Sequence, residues 1–93
     1  MTLDDVLLSA KLAMPRNNVS ALCRELGVSR VTYYKWENWR DSGTFPSEDN
    51  IFKLASIGNT PLNEAVFALM AEKSKNPDIS NVYRGYAGQP ALN

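Results

Sequence analysis

Val19-Ser-Ala-Leu-Cys-Arg-Glu-Leu-Gly-Val-Ser-Arg-Val-Thr-Tyr-Tyr-Lys-Trp36 reads as two short helices joined by a glycine turn. Val19, Leu22, Cys23 and Leu26 fall at i, i+3, i+4 and i+7, an apolar stripe of helical period. Gly27 follows the last of them, where a helix stops and a tight turn needs a positive φ that glycine adopts at no steric cost. Ser29 is placed to cap the next helix. On that helix Tyr33 and Trp36 face inward with Val28 just before them, while Arg30, Val31, Tyr34, Lys35 and Asn38 share the opposite face. Two helices that cross steeply want a small side chain at their contact, and Cys23 stands there, four positions before the glycine.

The flanking sequence is punctuated as helix throughout. Thr2 with Asp5 three residues on forms a capping-box pair. Leu3, Leu7, Ala10 and Met14 then recur at helical spacing until Pro15 stops the run, and Asn17 or Asn18 caps the segment that begins at Val19. Residues 40–46, Arg-Asp-Ser-Gly-Thr-Phe-Pro, have loop composition. Ser47 opens a fourth helix with the stripe Ile51, Leu54 and Ala55, and Thr60-Pro61 starts a fifth that carries Leu62, Val66, Leu69 and Met70 to about Lys75. The expected fold is all-α, with five short helices: a domain over residues 1–76 and a tail over 77–93 with little structure of its own.

Composition narrows the functional classes. Ninety-three residues make one domain, and a 44% hydrophobic fraction is enough for a small core. The chain has no histidine, and so lacks the commonest general base and metal ligand; a single cysteine cannot make an internal disulfide or a Cys-rich zinc site. With no carboxylate cluster either, catalytic residues, metal ligands and cofactors are all expected to be absent. The N-terminus carries Asp4 and Asp5 where a secretory signal would carry bases, and no apolar run approaches the ~20 residues of a membrane span. The expected location is cytoplasmic, which makes the sequon Asn18-Val19-Ser20 accidental. Net charge is zero but unevenly spread. Residues 16–40 carry Arg16, Arg24, Arg30, Lys35 and Arg40 against Glu25 and Glu37, net +3, and both flanks are acidic. A local basic patch, rather than total charge, is what meets phosphate.

These residues resemble the helix-turn-helix of the phage repressor and Cro class, the XRE family. Leu22, Gly27, Val28, Ser29 and Arg30 match its motif, as do Glu37-Asn38 and Phe45-Pro46-Ser47, so that the likeness spans roughly residues 6–72. More loosely, the chain is similar to small regulators of filamentous and temperate phages. It departs from the pattern in having Cys23 for the usual alanine, Tyr33 for isoleucine or valine, and Trp39 for the glycine after Glu-Asn. The resemblance implies a repressor-like domain with its helix-turn-helix at helices 2 and 3, a double-stranded DNA operator as partner, and a homodimer that represses transcription.

On that implication, the DNA-binding candidates are Asn17, Asn18, Ser29, Arg30, Val31, Tyr34, Lys35, Asn38 and Arg40. Arg30 and Lys35 are the bases on the outer face, suited to base edges or phosphate. Tyr34 between them suits phosphate or a thymine methyl, and a capped helix N-terminus at Asn17-Asn18 suits phosphate. Cys23 belongs to the core and is no nucleophile, having no histidine to activate it. Phe67 and Ala71 lie off the main stripe of the fifth helix, so something must cover Phe67. It is either the tail, with Tyr83 or Tyr86 folding back, or a second copy meeting Phe67, Met70 and Ala71 across a two-fold axis. The rival function is an antitoxin-like or anti-repressor protein-interaction module, which an unusually apolar surface on the fifth helix or the tail would favour.

Overall fold

Local capping explains most of the helix starts in the structure, a computed structural model that describes residues 1–89. Helix α1 (Leu3–Ala13) begins at the Thr2–Asp5 capping box, with both reciprocal bonds formed at 3.0 Å. Asn18 caps α2 (Val19–Leu26) by accepting from the Ala21 N–H, and Ser29 caps α3 (Arg30–Glu37) by accepting from the Thr32 N–H. Between them Gly27 takes the left-handed conformation, φ 70°. A single-turn helix, α4 (Trp39–Ser42), follows almost without a break, and Ser47 caps α5 (Glu48–Ile57). Then come α6 (Leu62–Lys73) and α7 (Pro77–Tyr86). The described residues are all-helical, and no helix among them is long and apolar enough to cross a membrane.

The Asp5 carboxyl is held below its ordinary pKa, first by the Thr2 backbone N–H and then by the Thr2 side chain. A depressed folded-state value means that its contribution is present above the unfolded-state range and is lost as the pH falls through the folded value. Asp5→Ala is therefore expected to cost about 0.5–1 kcal/mol at neutral pH. In thermal melts the gap to the native chain should close in strong acid; a gap that persists there contradicts the charge-based account.

One core serves α1, α2, α3, α5 and α6. Leu3, Val6, Leu7 and Ala10 of α1 meet Leu22, Cys23 and Leu26 of α2, Tyr33 and Trp36 of α3, Ile51, Leu54 and Ala55 of α5, and Ala65 and Leu69 of α6. The end of α5 approaches α1 closely. A Cβ on Gly58 would stand 2.8 Å from the Ala10 backbone N and 2.9 Å from the Ser9 backbone C, so glycine lets the two helices touch there.

Two expectations need correction. The described residues hold seven α-helices rather than five, because residues 39–42 wind one turn within the expected loop and residues 77–86 form a helix within the expected tail. Pro77 does not merely end the preceding helix. It occupies the first turn of α7, where a missing N–H costs nothing, and the Asn76 side chain caps that turn by accepting from the Asp78 and Ile79 N–H groups. The Cα radius of gyration, 12.8 Å, is close to the ~12 Å of a single folded body of this length, as expected when α7 packs on the domain instead of trailing from it.

Helix α7 also settles what lies over Phe67. The Tyr83 ring stacks on Phe67 with centroids 6.1 Å apart, and Tyr86 lies at 5.1 Å. Ser80 is buried and donates to the Ala71 carbonyl at 2.7 Å, while Arg84 pairs with Glu72 at 3.5 Å. The expected dimer surface of Phe67, Met70 and Ala71 is therefore not one surface. Phe67 and Ala71 lie under the chain's own last helix, and Met70 borders a different groove, beside Phe52 and Leu62.

Candidate nucleic-acid interface

Helix α3 has two sharply different faces. Tyr33 is 0% exposed and Trp36 is 2% exposed, whereas Arg30 and Lys35 are exposed, Val31 is 66% exposed and Tyr34 46%. The inner face is fixed by aromatic packing, Tyr33 edge-on to Trp36 at 6.3 Å and to Tyr34 at 5.7 Å, and by the Tyr33 hydroxyl, which donates to Glu37 Oε2 at 3.0 Å. Rigid anchoring on one side presents the other side as a preset surface.

Both ends of α3 are tied down. At its start Ser29 Oγ accepts from the Thr32 N–H and donates to Thr32 Oγ1, both at 3.1 Å. Its hydroxyl is spent on the cap. At its end Asn38 Nδ2 donates to the Tyr34 carbonyl at 3.1 Å and Ser42 Oγ donates to the Lys35 carbonyl at 2.6 Å. A shallow depression runs along the outer face, lined by Val31, Tyr34, Lys35, Asn38, Asp41 and Ser42. Asp41 places an acid at the Lys35 end, a feature that loop composition could not reveal.

Asn17 and Asn18 stand at the entrance to α2. Asn18 is the cap, and Arg16 and Asn17 before it both adopt positive φ, 58° and 53°. A left-handed conformation is unfavourable for arginine by roughly 1–2 kcal/mol. It leaves Arg16 exposed beside the α2 N-terminus, a base that the sequence reading did not single out as a contact.

Arg40 goes elsewhere. Its guanidinium lies over the Trp39 ring, 4.2 Å from the centroid, and Nη2 donates to Asp4 Oδ2 at 2.9 Å while Trp39 Nε1 donates to Asp4 Oδ1 at 3.2 Å. These groups line a cleft with Thr2, Glu72 and Arg84, apart from the depression on the outer face of α3. Arg40 thus tethers α4 to α1 and lines a different cleft from the other DNA-binding candidates of α3. The hydrogen bond to Asp4 also holds the Arg40 pKa above its ordinary value. Among the described residues, Arg16, Arg24, Arg30 and Lys35 make no ion pair.

Cys23 is buried in the core, and burial pushes its thiol pKa up, the reverse of what a nucleophile needs. Among the described residues no three metal-ligating side chains converge. No family model, curated protein or solved structure matches this chain.

Proposed function

We propose that this chain is a sequence-specific DNA-binding regulator, a repressor in the manner of phage helix-turn-helix proteins, which binds its operator as a homodimer. The observation that carries the reading is the exposed outer face of α3, where Arg30, Val31, Tyr34 and Lys35 stand free beside a buried aromatic anchor. A helix of eight residues projecting such side chains fits a major groove about 12 Å wide. Arg30, in the first turn, is the base-reading residue. Lys35 and Tyr34 support it, and the α2 entrance at Arg16, Asn17 and Asn18 is placed for backbone phosphate.

Selection of bound fragments from a random duplex pool tests this directly, and a palindromic consensus is the expected result. Arg30→Ala should lose about 1–3 kcal/mol of discrimination, about 5- to 150-fold, at one base pair per half-site. Equal loss on every sequence would reduce Arg30 to a phosphate contact.

One observation favours the rival reading, an interaction module on the same scaffold. The groove between α5 and α6 keeps Phe52 58% exposed and Leu62 43% exposed, an apolar surface that a protein partner could cover. Failure to enrich any duplex would move the assignment there.

A further inference from the structure

Helix α7 is amphipathic, yet it does not dock by its apolar face. Its inward contacts are Ser80, Tyr83 and Arg84, with Ala87 just beyond the helix end and one side of the Tyr86 ring against Phe67. Its most apolar stripe is left largely uncovered instead: Ile79 is 49% exposed, Val82 57%, and Tyr86 63% even with its ring against Phe67. An apolar stripe at helical spacing is normally buried against something.

Gly85 lies on that same face. Its backbone is helical, and nothing stands within 4 Å of where its Cβ would be, so the fold of one chain has no need of glycine there. Glycine inside a helix is costly relative to alanine. A backbone or side chain from outside, approaching closely, gives it a use.

We propose that α7 is a self-association surface, on which two copies pair antiparallel across a two-fold axis centred on Val82. The pattern is complementary to itself in that register. Val82 meets Val82 of the other copy, Ile79 enters the space over Gly85, and the Tyr86 hydroxyl reaches the Asp78 carboxylate. The antiparallel arrangement also sets each helix N-terminus beside the other's C-terminus, whereas a parallel pair would bring the two Asp78 carboxylates together. The face carries no base, which argues against nucleic acid or an anionic membrane as its occupant. A stripe of two turns buries less than the ~1,200 Å² typical of stable complexes, so the association is weak and rises with concentration. Its consequence for operator binding, joining two α3 helices, rests on the function proposed above; the association itself does not.

Sedimentation equilibrium of the DNA-free chain over a wide concentration range tests the pairing. The native chain should show a reversible monomer–dimer equilibrium. Val82→Glu, at an exposed position, should keep the helical circular dichroism and melting temperature but weaken association about tenfold or more, since pairing would bury an unpaired charge. Gly85→Ala should raise the melting temperature and yet weaken association, opposite signs that a merely structural role would not give. Phe52→Glu, in the α5–α6 groove, should leave association unchanged. A native chain that is monomeric throughout, unaltered association in Val82→Glu or Gly85→Ala, or loss of association in Phe52→Glu would each overturn the proposal. Duplex binding measured on Val82→Glu keeps the two readings separate, because an unpaired chain should still bind DNA with a reduced salt slope if α3 is the interface.

Discussion

Tyr33→Ala should remove about 3–5 kcal/mol of stability, the range for emptying a large aromatic site in a packed core. Tyr33 is the largest fully buried side chain and touches solvent nowhere, so no surface rearrangement can fill its place. A domain of this size loses about 4–8 °C of melting temperature per kcal/mol, and the total stability of small domains is only about 5–15 kcal/mol. The variant should therefore melt about 12–40 °C below the native chain, as read by circular dichroism, with a matching loss in urea titration. A loss below about 1.5 kcal/mol, typical of a volume-conserving swap, would mean that the core behind α3 collapses to fit.

Tyr33→Phe isolates the hydroxyl. Burial, then the Glu37 charge and the hydrogen bond to it, push the Tyr33 pKa above its ordinary value. An acid whose folded-state value is raised contributes fully below its unfolded value of about 10 and loses that contribution as the pH rises beyond it. The phenylalanine variant should accordingly flatten the alkaline limb of a pH–stability curve. It should also lose about 1.5–3 kcal/mol at neutral pH, the net worth of a hydrogen bond to a charged group such as Glu37.

What the sequence made legible was local. The caps at Thr2, Asn18, Ser29 and Ser47, the turn at Gly27 and the two faces of α3 each depend on residues within a few positions of one another. The misreadings have the opposite character. Pro77 is equally at home just after one helix and in the first turn of the next, and only the packing of Tyr83 and Ser80 on α6 decides between them. Phe67 announced that it needed a cover, but both candidate covers were consistent with its spacing. Arg40 sits near α3 in sequence, and its partner Asp4 lies 36 residues away, where no periodicity could have found it. Asp41 and Arg16 were missed as neighbours of the candidate interface because turn composition gives no direction to a side chain.

Duplex affinity should fall roughly a thousandfold between about 50 and 200 mM salt, despite a net charge of zero. The pairing of Arg40 with Asp4 takes one base out of the net +3 segment. With Arg30 kept for base edges, Arg16, Arg24 and Lys35 remain exposed and without ion pairs on or beside α2 and α3, and a dimer presents them twice. Six phosphate contacts give a log–log slope of about −5, and three give about −3. The slope therefore reports on stoichiometry as well as contact: the native chain at an operator should show the steeper value and Val82→Glu the shallower one. Arg16→Ala should reduce the dimer slope by about two, one per protomer, and weaken all sequences alike, because phosphate contacts carry no base information. Asp4→Ala, by contrast, frees Arg40 in a cleft distinct from the depression on α3, and should leave the slope unchanged. A slope near zero in an anisotropy titration would remove DNA from the account altogether, since a protein that neutralises no phosphate releases no counterions.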